Sequence, residues 1–291
     1  KYKGDTGERE ELDIPAEEQD KAAELQNALI ESAAENDESL MEKFFDQGTL
    51  SEEEMRQGIL LGLLSRGLFP VFCTSGKKNI GVKRILEFAI NVCPSPNKLP
   101  AEKNADGKEV KIDAGGPASL FVFKTSVEPH IGEINYFKVI SGKITEGMDL
   151  LNTTNNGKER LSQLFVVAGK NRNKVTELVA GDIGATVKLK NTKTNHTLCA
   201  PGQSIKFAPL TFPNHKFRTA IKAKNESDTE KLGEYINRAH QEDPTIVVEY
   251  SKELKQIILY GQGEHHLNIL KWQLTNLYKI EVDFLPPRIP Y

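Results

Sequence analysis

The 291 residues, 38% of them hydrophobic, can fill more than one core, because single domains typically run about 100 to 200 residues. With 38 lysines and arginines against 41 aspartates and glutamates the net charge is −3, so no global pull toward nucleic acid exists and any RNA contact has to be regional. Cys73, Cys93 and Cys199 show no C-x-x-C spacing and no apolar run reaches a membrane span, which argues against a zinc site, a disulfide framework and a membrane partner, and fits a cytoplasmic setting.

In chain order, the first third is acidic and helical in period. In AEEQDKAAELQNALIESAAENDESLMEKFF, Leu25 pairs with Leu29 and Leu40 with Phe44 on shared helix faces. SEEEMRQGILLGLLSRG follows, with Ser51 and Glu54 at capping-box spacing and Gly67 as the expected stop. LFPVFCTS is expected to be a short buried strand, GKKNIG a polar loop, and VKRILEFAINV a helix ended by Pro94-Ser95-Pro96. Residues 1–97 thus form the tail of an αβα unit. The stretch from Asn97 to Gly116, rich in Lys, Pro, Asp and Gly, is expected to be an exposed connection.

Beyond it the period becomes two. ASLFVFKT, GEINYFKVISG, DLLNTT, RLSQLFVVA and GDIGATVKLK are short strands; in the last, Ile183, Ala185, Val187 and Leu189 point one way, Lys188 and Lys190 the other. Regularly spaced strands predict a small β-barrel over residues 98–212. After Pro213 the order is strand FRTAIKAK, helix ESDTEKLGEYINRAHQED, strands TIVVEYS and KQIILYG, helix GEHHLNILKWQLTNLY and strand KIEVDF. That is the βαββαβ of a ferredoxin-like domain over residues 213–291. Its first helix carries Ser227 and Glu230 as a capping box and Leu232, Tyr235, Ile236 and Ala239 on one face.

The stretch GQGEHHLNIL, Gly261 to Leu270, invites a phosphate or metal reading. It lacks the third glycine of a dinucleotide fingerprint and the lysine of a Walker loop. His265 and His266 are adjacent and diverge by about 100° on a helix, so they cannot chelate together unaided. A strand-to-helix joint fits better: Gly261 and Gly263 allow the turn, Glu264 suits the positive end of the helix, and Leu267, Leu270, Leu274 and Leu277 form the core stripe.

GQGEHHLNIL also resembles the GMGELHLEI motif of the third domain of elongation factor G, and IKAKNESDTEKLGEYINRAHQEDPTIVVEY resembles the segment leading to it. GEINYFKVISGKITEGMDLLNTTNNGKERLSQL and ELVAGDIGATVKLKNTKTNHTLC are similar to the second-domain barrel of translational GTPases, and LIESAAENDESLMEKFF through FCTSGKKNIGVKRILEFAINVCPSP is similar to the end of their P-loop GTPase domain. The resemblance spans essentially the whole chain in the family's order. It implies a fragment of a ribosome-dependent GTPase of protein synthesis, with the ribosome (ribosomal RNA and a small-subunit protein) and the upstream and downstream domains of the same protein as partners.

GTP and Mg²⁺ belong to that longer protein, and no cofactor is expected in this chain, where no Walker loop, DxxG switch or NKxD base-recognition motif is read. The family's guanine-contacting loop corresponds to Thr74, Ser75 and Gly76. The chain begins at Lys1 without methionine and stops at Tyr291, consistent with an excised piece. VEPHIG at the barrel entry, and His265 where the motif has leucine, mark a divergent member; ribosome rescue, recycling or protection competes with translocation, and a non-enzymatic RNA- or protein-binding module is the alternative reading.

Two further sets of residues are candidates. Lys170, Arg172 and Lys174 form a basic cluster between two barrel strands, suited to RNA phosphates or simply to a solvated turn. On the last helix His265, Ile269, Trp272 and Asn276 lie opposite the leucine stripe, as an interface or as a tryptophan covered by its own neighbours.

Overall fold

Capped, alanine- and leucine-rich segments account for the beginning of the chain. The computed structural model describes residues 2–4, 6–128, 131–251 and 253–288, in two compact units, Lys1–Leu99 and Pro100–Tyr291. In the first unit a ribbon of β1 (Tyr2–Lys3) and β2 (Glu8–Arg9) precedes α1 (Gln19–Ala34), α2 (Glu38–Gln47), α3 (Glu52–Ser65) and α4 (Val82–Asn91). The Ser51–Glu54 capping box forms as its spacing predicts, and Lys43 Nζ, 2.5 Å from Glu54 Oε1, ties α2 to α3.

Helix phase departs from expectation. Ile30, Ala33 and Ala34 are buried, whereas Leu25 and Leu29 are 61% and 48% exposed. The reason is α3: a Cβ on Gly58 would lie 2.4 Å from the Ala33 carbonyl oxygen, so the close crossing selects the small face of α1 over its leucines. Helix α3 stops just ahead of the expected glycine, with Arg66 and not Gly67 in the left-handed conformation (φ 60°). LFPVFCTS is not a strand. Phe69 and Val71 are 77% and 90% exposed, and only Ser75 forms an isolated bridge, to Ile80. Strand hydrogen bonds must come from a neighbour, and no strand runs beside this segment among the described residues.

The second unit opens with the hairpin β3 (Glu102–Lys103) and β4 (Glu109–Val110). There follow β5 (Ser119–Glu128), β6 (Gly132–Ser141), β7 (Lys143–Thr145), β8 (Asp149–Asn152) and β9 (Gly157–Arg160). Then come β10 (Leu164–Ala168), β11 (Asn171–Val175), β12 (Glu177–Val179), β13 (Ile183–Val187) and β14 (Thr197–Cys199). Eight of these pair in the order β11-β10-β13-β6-β5-β14-β8-β9, with β12-β7 as a separate ribbon. The hydrogen-bonded order is open, yet Leu120, Phe137, Leu164 and Leu198 from across it share one core with Ile144 of β7 and Leu178 of β12, which is how a barrel buries its interior.

Strand β13 lies between β10 and β6, and Gly184 to Val187 are all buried while Ile183 is 60% exposed. Ala185 and Val187 meet a second small cluster with Ile134, so both faces are covered and the expected simple alternation is lost. Lys188 then turns out with φ 62°. The connection from Asn97 to Gly116 is not a free tether along its length. Ala105 N donates to Lys206 O (2.8 Å) and Gly142 N to Asp113 O (2.7 Å), and Val110 packs on Phe121, Ile140 and Phe207. Pro129 and His130 of VEPHIG lie outside the described residues.

The chain ends in β15 (Phe217–Ala223), α5 (Thr229–Glu242), β16 (Val247–Ser251), β17 (Gln256–Gly261), α6 (Glu264–Asn276) and β18 (Val282–Leu285). The antiparallel order β16-β17-β15-β18 is that of the ferredoxin-like βαββαβ domain. Leu232, Ile236, Leu259, Leu267, Leu270 and Leu274 form its core. The Ser227–Glu230 box does not form: a 3-10 turn at Glu226–Asp228 precedes α5, and Asp228 makes no side-chain cap. Leu277 is 60% exposed, because α6 stops at Asn276; Ile280, 4% exposed, joins the core instead.

Candidate functional site

At the loop before α4, Ser75 N donates to Ile80 O (2.9 Å), Ile80 N to Ser75 O (3.0 Å) and Lys78 N to Ser75 Oγ (3.4 Å). Thr74 and Gly76 are exposed, so a closed loop presents its tip to solvent. The D-x-x-G spacing does occur once, against expectation, at Asp113–Gly116. It sits beside β6, where Asp113 Oδ1 accepts from Gly115 N (2.9 Å) as a local turn. Among the described residues no group of three His, Cys, Asp or Glu side chains is placed to hold a metal ion. No chemical step is assigned to this loop.

The basic cluster lies on the hairpin of β10 and β11, where alternate residues share a face. Its charges are largely answered from within the protein: the Arg172 guanidinium pairs with the Glu128 carboxylate, and Lys174 Nζ lies 2.8 Å from Glu146 Oε1. Lys170, at the exposed turn, has no carboxylate within 4.0 Å among the described residues. The cluster's outward field is thus weaker than its sequence suggests.

Helix α6 turns His265, Ile269, Trp272 and Asn276 to solvent; Ile269 and Trp272 are 45% and 58% exposed. Asn276 Nδ2 donates to Trp272 O (2.9 Å), closing the last turn. His266 has a different task. Its Nδ1 accepts from Gln262 N (3.2 Å) and its Nε2 lies 3.0 Å from Asp243 Oδ2, so a ring protonated on Nε2 satisfies both partners and braces the joint against the end of α5. Gly261 is required there, since a Cβ would meet Leu267 Cδ2 at 2.8 Å; Gly263, with φ 178° and nothing within 4 Å, is not.

Sequence reading missed the contact between the barrel and the third domain. Glu242 Oε1 accepts from Val127 N (2.7 Å), and the Arg238 guanidinium donates to Val127 O. Arg238 also lies 3.5 Å from Glu242 and 5.6 Å over the Tyr278 ring. The signal was visible but ambiguous: Arg238 and Glu242 are four apart, which reads as an ordinary pair along one helix. Val127 precedes Glu128, the partner of Arg172, so hairpin, strand and α5 meet within two residues.

No described helix is long and apolar enough to cross a membrane. The family model described as elongation factor G domain 2 matches residues 117–201, and that described as elongation factor G, domain III, matches residues 212–286; together they take in more than half of the chain. A crystal structure of a Thermus thermophilus protein is similar over 98% of this chain at a TM-score of 0.80 and 28% sequence identity, while the match covers 41% of that protein's chain. The chain thus spans less than half the length of that structural relative. Two family domains in sequence, each with the fold its pattern predicts, together with that match, establish that the chain belongs to the elongation factor G family.

Proposed function

We propose that this translation-factor chain is the docking and coupling portion of a cytoplasmic, ribosome-dependent GTPase, active in translocation or ribosome recycling. GTP hydrolysis is assigned to the longer protein, whose phosphate-binding parts lie outside this chain. The observation that carries the coupling role is the grip of α5 on β5. Glu242 and Arg238 hold the amide and the carbonyl of Val127, a main-chain clamp that does not depend on the side chain at that position. Charged groups hydrogen-bonded to backbone form some of the stronger contacts available, so movement of the barrel is passed to the third domain directly. Ribosomal RNA meets the exposed turn at Lys170, with Arg172 and Lys174 contributing once their carboxylate partners are exchanged for phosphate.

The test is co-sedimentation of the chain with ribosomes at about 50 and 200 mM salt. We expect pelleting at low salt that the triple variant Lys170→Gln, Arg172→Gln and Lys174→Gln weakens. Neutral substitution is preferable to charge reversal, which would set new carboxylates against Glu128 and Glu146. Absence of pelleting at both salt concentrations overturns the docking role.

A further inference from the structure

Residues 201–216 form a strap from the barrel into β15, and it is fastened from both sides. The barrel holds it as far as Leu210: Thr153 Oγ1 donates to Ile205 O (2.7 Å), Phe207 N to Thr197 Oγ1 (3.0 Å) and Leu210 N to Asn195 Oδ1 (2.8 Å). The third domain takes over at Pro213. Gln262 Nε2 donates to Pro213 O (3.1 Å) and Asn214 O (3.3 Å), and Lys216 N donates to Gly261 O (2.9 Å). The His215 ring lies 4.4 Å from that of Tyr260. Only Thr211 and Phe212 separate the two holds, and the step from Leu210 to Pro213 spans about 10 Å at most, so the strap has little slack. Gln262 departs from the GMGELHLEI motif, whose methionine at this position has no donor to offer.

This clasp on the strap is joined to the clamp on Val127. Gln262 N donates to His266 Nδ1 (3.2 Å), and His266 Nε2 lies 3.0 Å from Asp243 Oδ2. Asp243 is itself fixed, its Oδ1 accepting from Thr245 N (2.9 Å) and Thr245 Oγ1 (2.6 Å). It directly follows Glu242, whose Oε1 receives the Val127 amide. A continuous run of close contacts therefore leads from Pro213 through Gln262, His266 and Asp243 to Glu242 and Val127.

Resting on the coupling role given to the clamp above, we infer that His266 links the two attachments between barrel and third domain, so that clasp and clamp open together. Both ring nitrogens are engaged, and one tautomer in one orientation satisfies both sides. Withdrawing Gln262 from the strap shifts the amide that Nδ1 accepts. Freeing Glu242 from Val127 lets the end of α5 move, and Asp243 carries Nε2 with it. The imidazole is rigid, so a displacement at one nitrogen reaches the other, where a long flexible side chain would absorb it. Coupling of this kind is a free energy and acts equally in both directions.

Hydrogen–deuterium exchange of the 291-residue chain, read by mass spectrometry, tests this. Exchange at the Val127 amide reports the clamp, and exchange at Asn214, His215 and Lys216 reports the strap. Gln262→Met should speed exchange in the strap and also, by at least about threefold, at Val127. Glu242→Ala should speed exchange at Val127 and, by a matching factor, in the strap. Slow exchange at Phe137, in the barrel core, shows that each variant is folded. In a His266→Ala background both cross effects should vanish. The two single variants keep His266 in place, so they decide the matter even where His266→Ala does not fold. A variant that loosens only its own attachment, or cross effects that persist without His266, overturns the link. Failure of the clamp itself looks different: Glu242→Ala would then leave exchange at Val127 unchanged, and the coupling role would fall together with the link. Ribosomes are not used, so the docking proposal is tested separately.

Discussion

Trp272 and Leu270 stand two residues apart on α6, one 58% exposed and the other 2%. Leu270→Ala should cost about 2–5 kcal/mol, as expected for an emptied core position, while Trp272→Ala should change stability by about 0.5 kcal/mol or less. Urea unfolding of the two variants checks this; equal losses would mean that Trp272 is packed within its own domain. A second residue-scale effect concerns pH. His196 is half-buried and its Nδ1 accepts from Asn152 Nδ2 (2.9 Å). Burial, then Lys193 and Lys206, hold its pKa below the ordinary 6.5, against the opposing pull of Glu159. The unfolded chain therefore takes up the proton first as pH falls, so this contribution is complete above pH 6.5 and declines through the window just below it. The urea midpoint of the second unit should fall between about pH 7 and 5.5, and His196→Gln should flatten that slope. An unchanged slope would assign the pH dependence to other groups.

Between elements, close approach decides more than hydrophobic content. Alanine is about 1 kcal/mol better than glycine in a helix interior, yet Gly58→Ala would drive a Cβ into the Ala33 carbonyl. A net loss of about 1–3 kcal/mol from the first unit is expected, measured by thermal unfolding; a gain would mean that α1 and α3 separate freely. The same logic explains the phase of α1, since two leucines with good helical spacing yield to Ala33 and Ala34 once Gly58 sets the crossing. At the GQGEHH joint, Gly261 is demanded by Leu267, whereas Gly263 has open space around it. Residue spacing could not tell these two glycines apart, because the difference lies in what approaches each from outside its own segment.

For the whole molecule, the boundary between units falls at Leu99 and Pro100. Lys98 is exposed beside it, while Lys103, Lys108 and Lys111 belong to a segment hydrogen-bonded and packed onto the barrel. Brief trypsin treatment should therefore cut first after Lys98 and release two fragments, because cleavage follows local opening and not mere exposure. Early cuts at Lys103, Lys108 or Lys111, identified by mass spectrometry, would show that the β3–β4 hairpin detaches readily. Composition alone made the entire stretch look like a tether, since lysine, proline and glycine are as common in fastened loops as in free ones.

What the sequence by itself determined was the order of elements: capped helices, period-two strands, a βαββαβ finish, and the motif strings that carry the family resemblance. These are local properties, set by propensity, capping and side-chain alternation within a dozen residues. Only the tertiary structure decided that 68–74 lacks a sheet neighbour, that β13 is covered on both faces, and that Arg172 and Lys174 are answered by Glu128 and Glu146. It also decided that Arg238 and Glu242 grip Val127. Each of these depends on residues far apart in the chain, and pairing, burial and charge balance are settled by the partner that folding brings near.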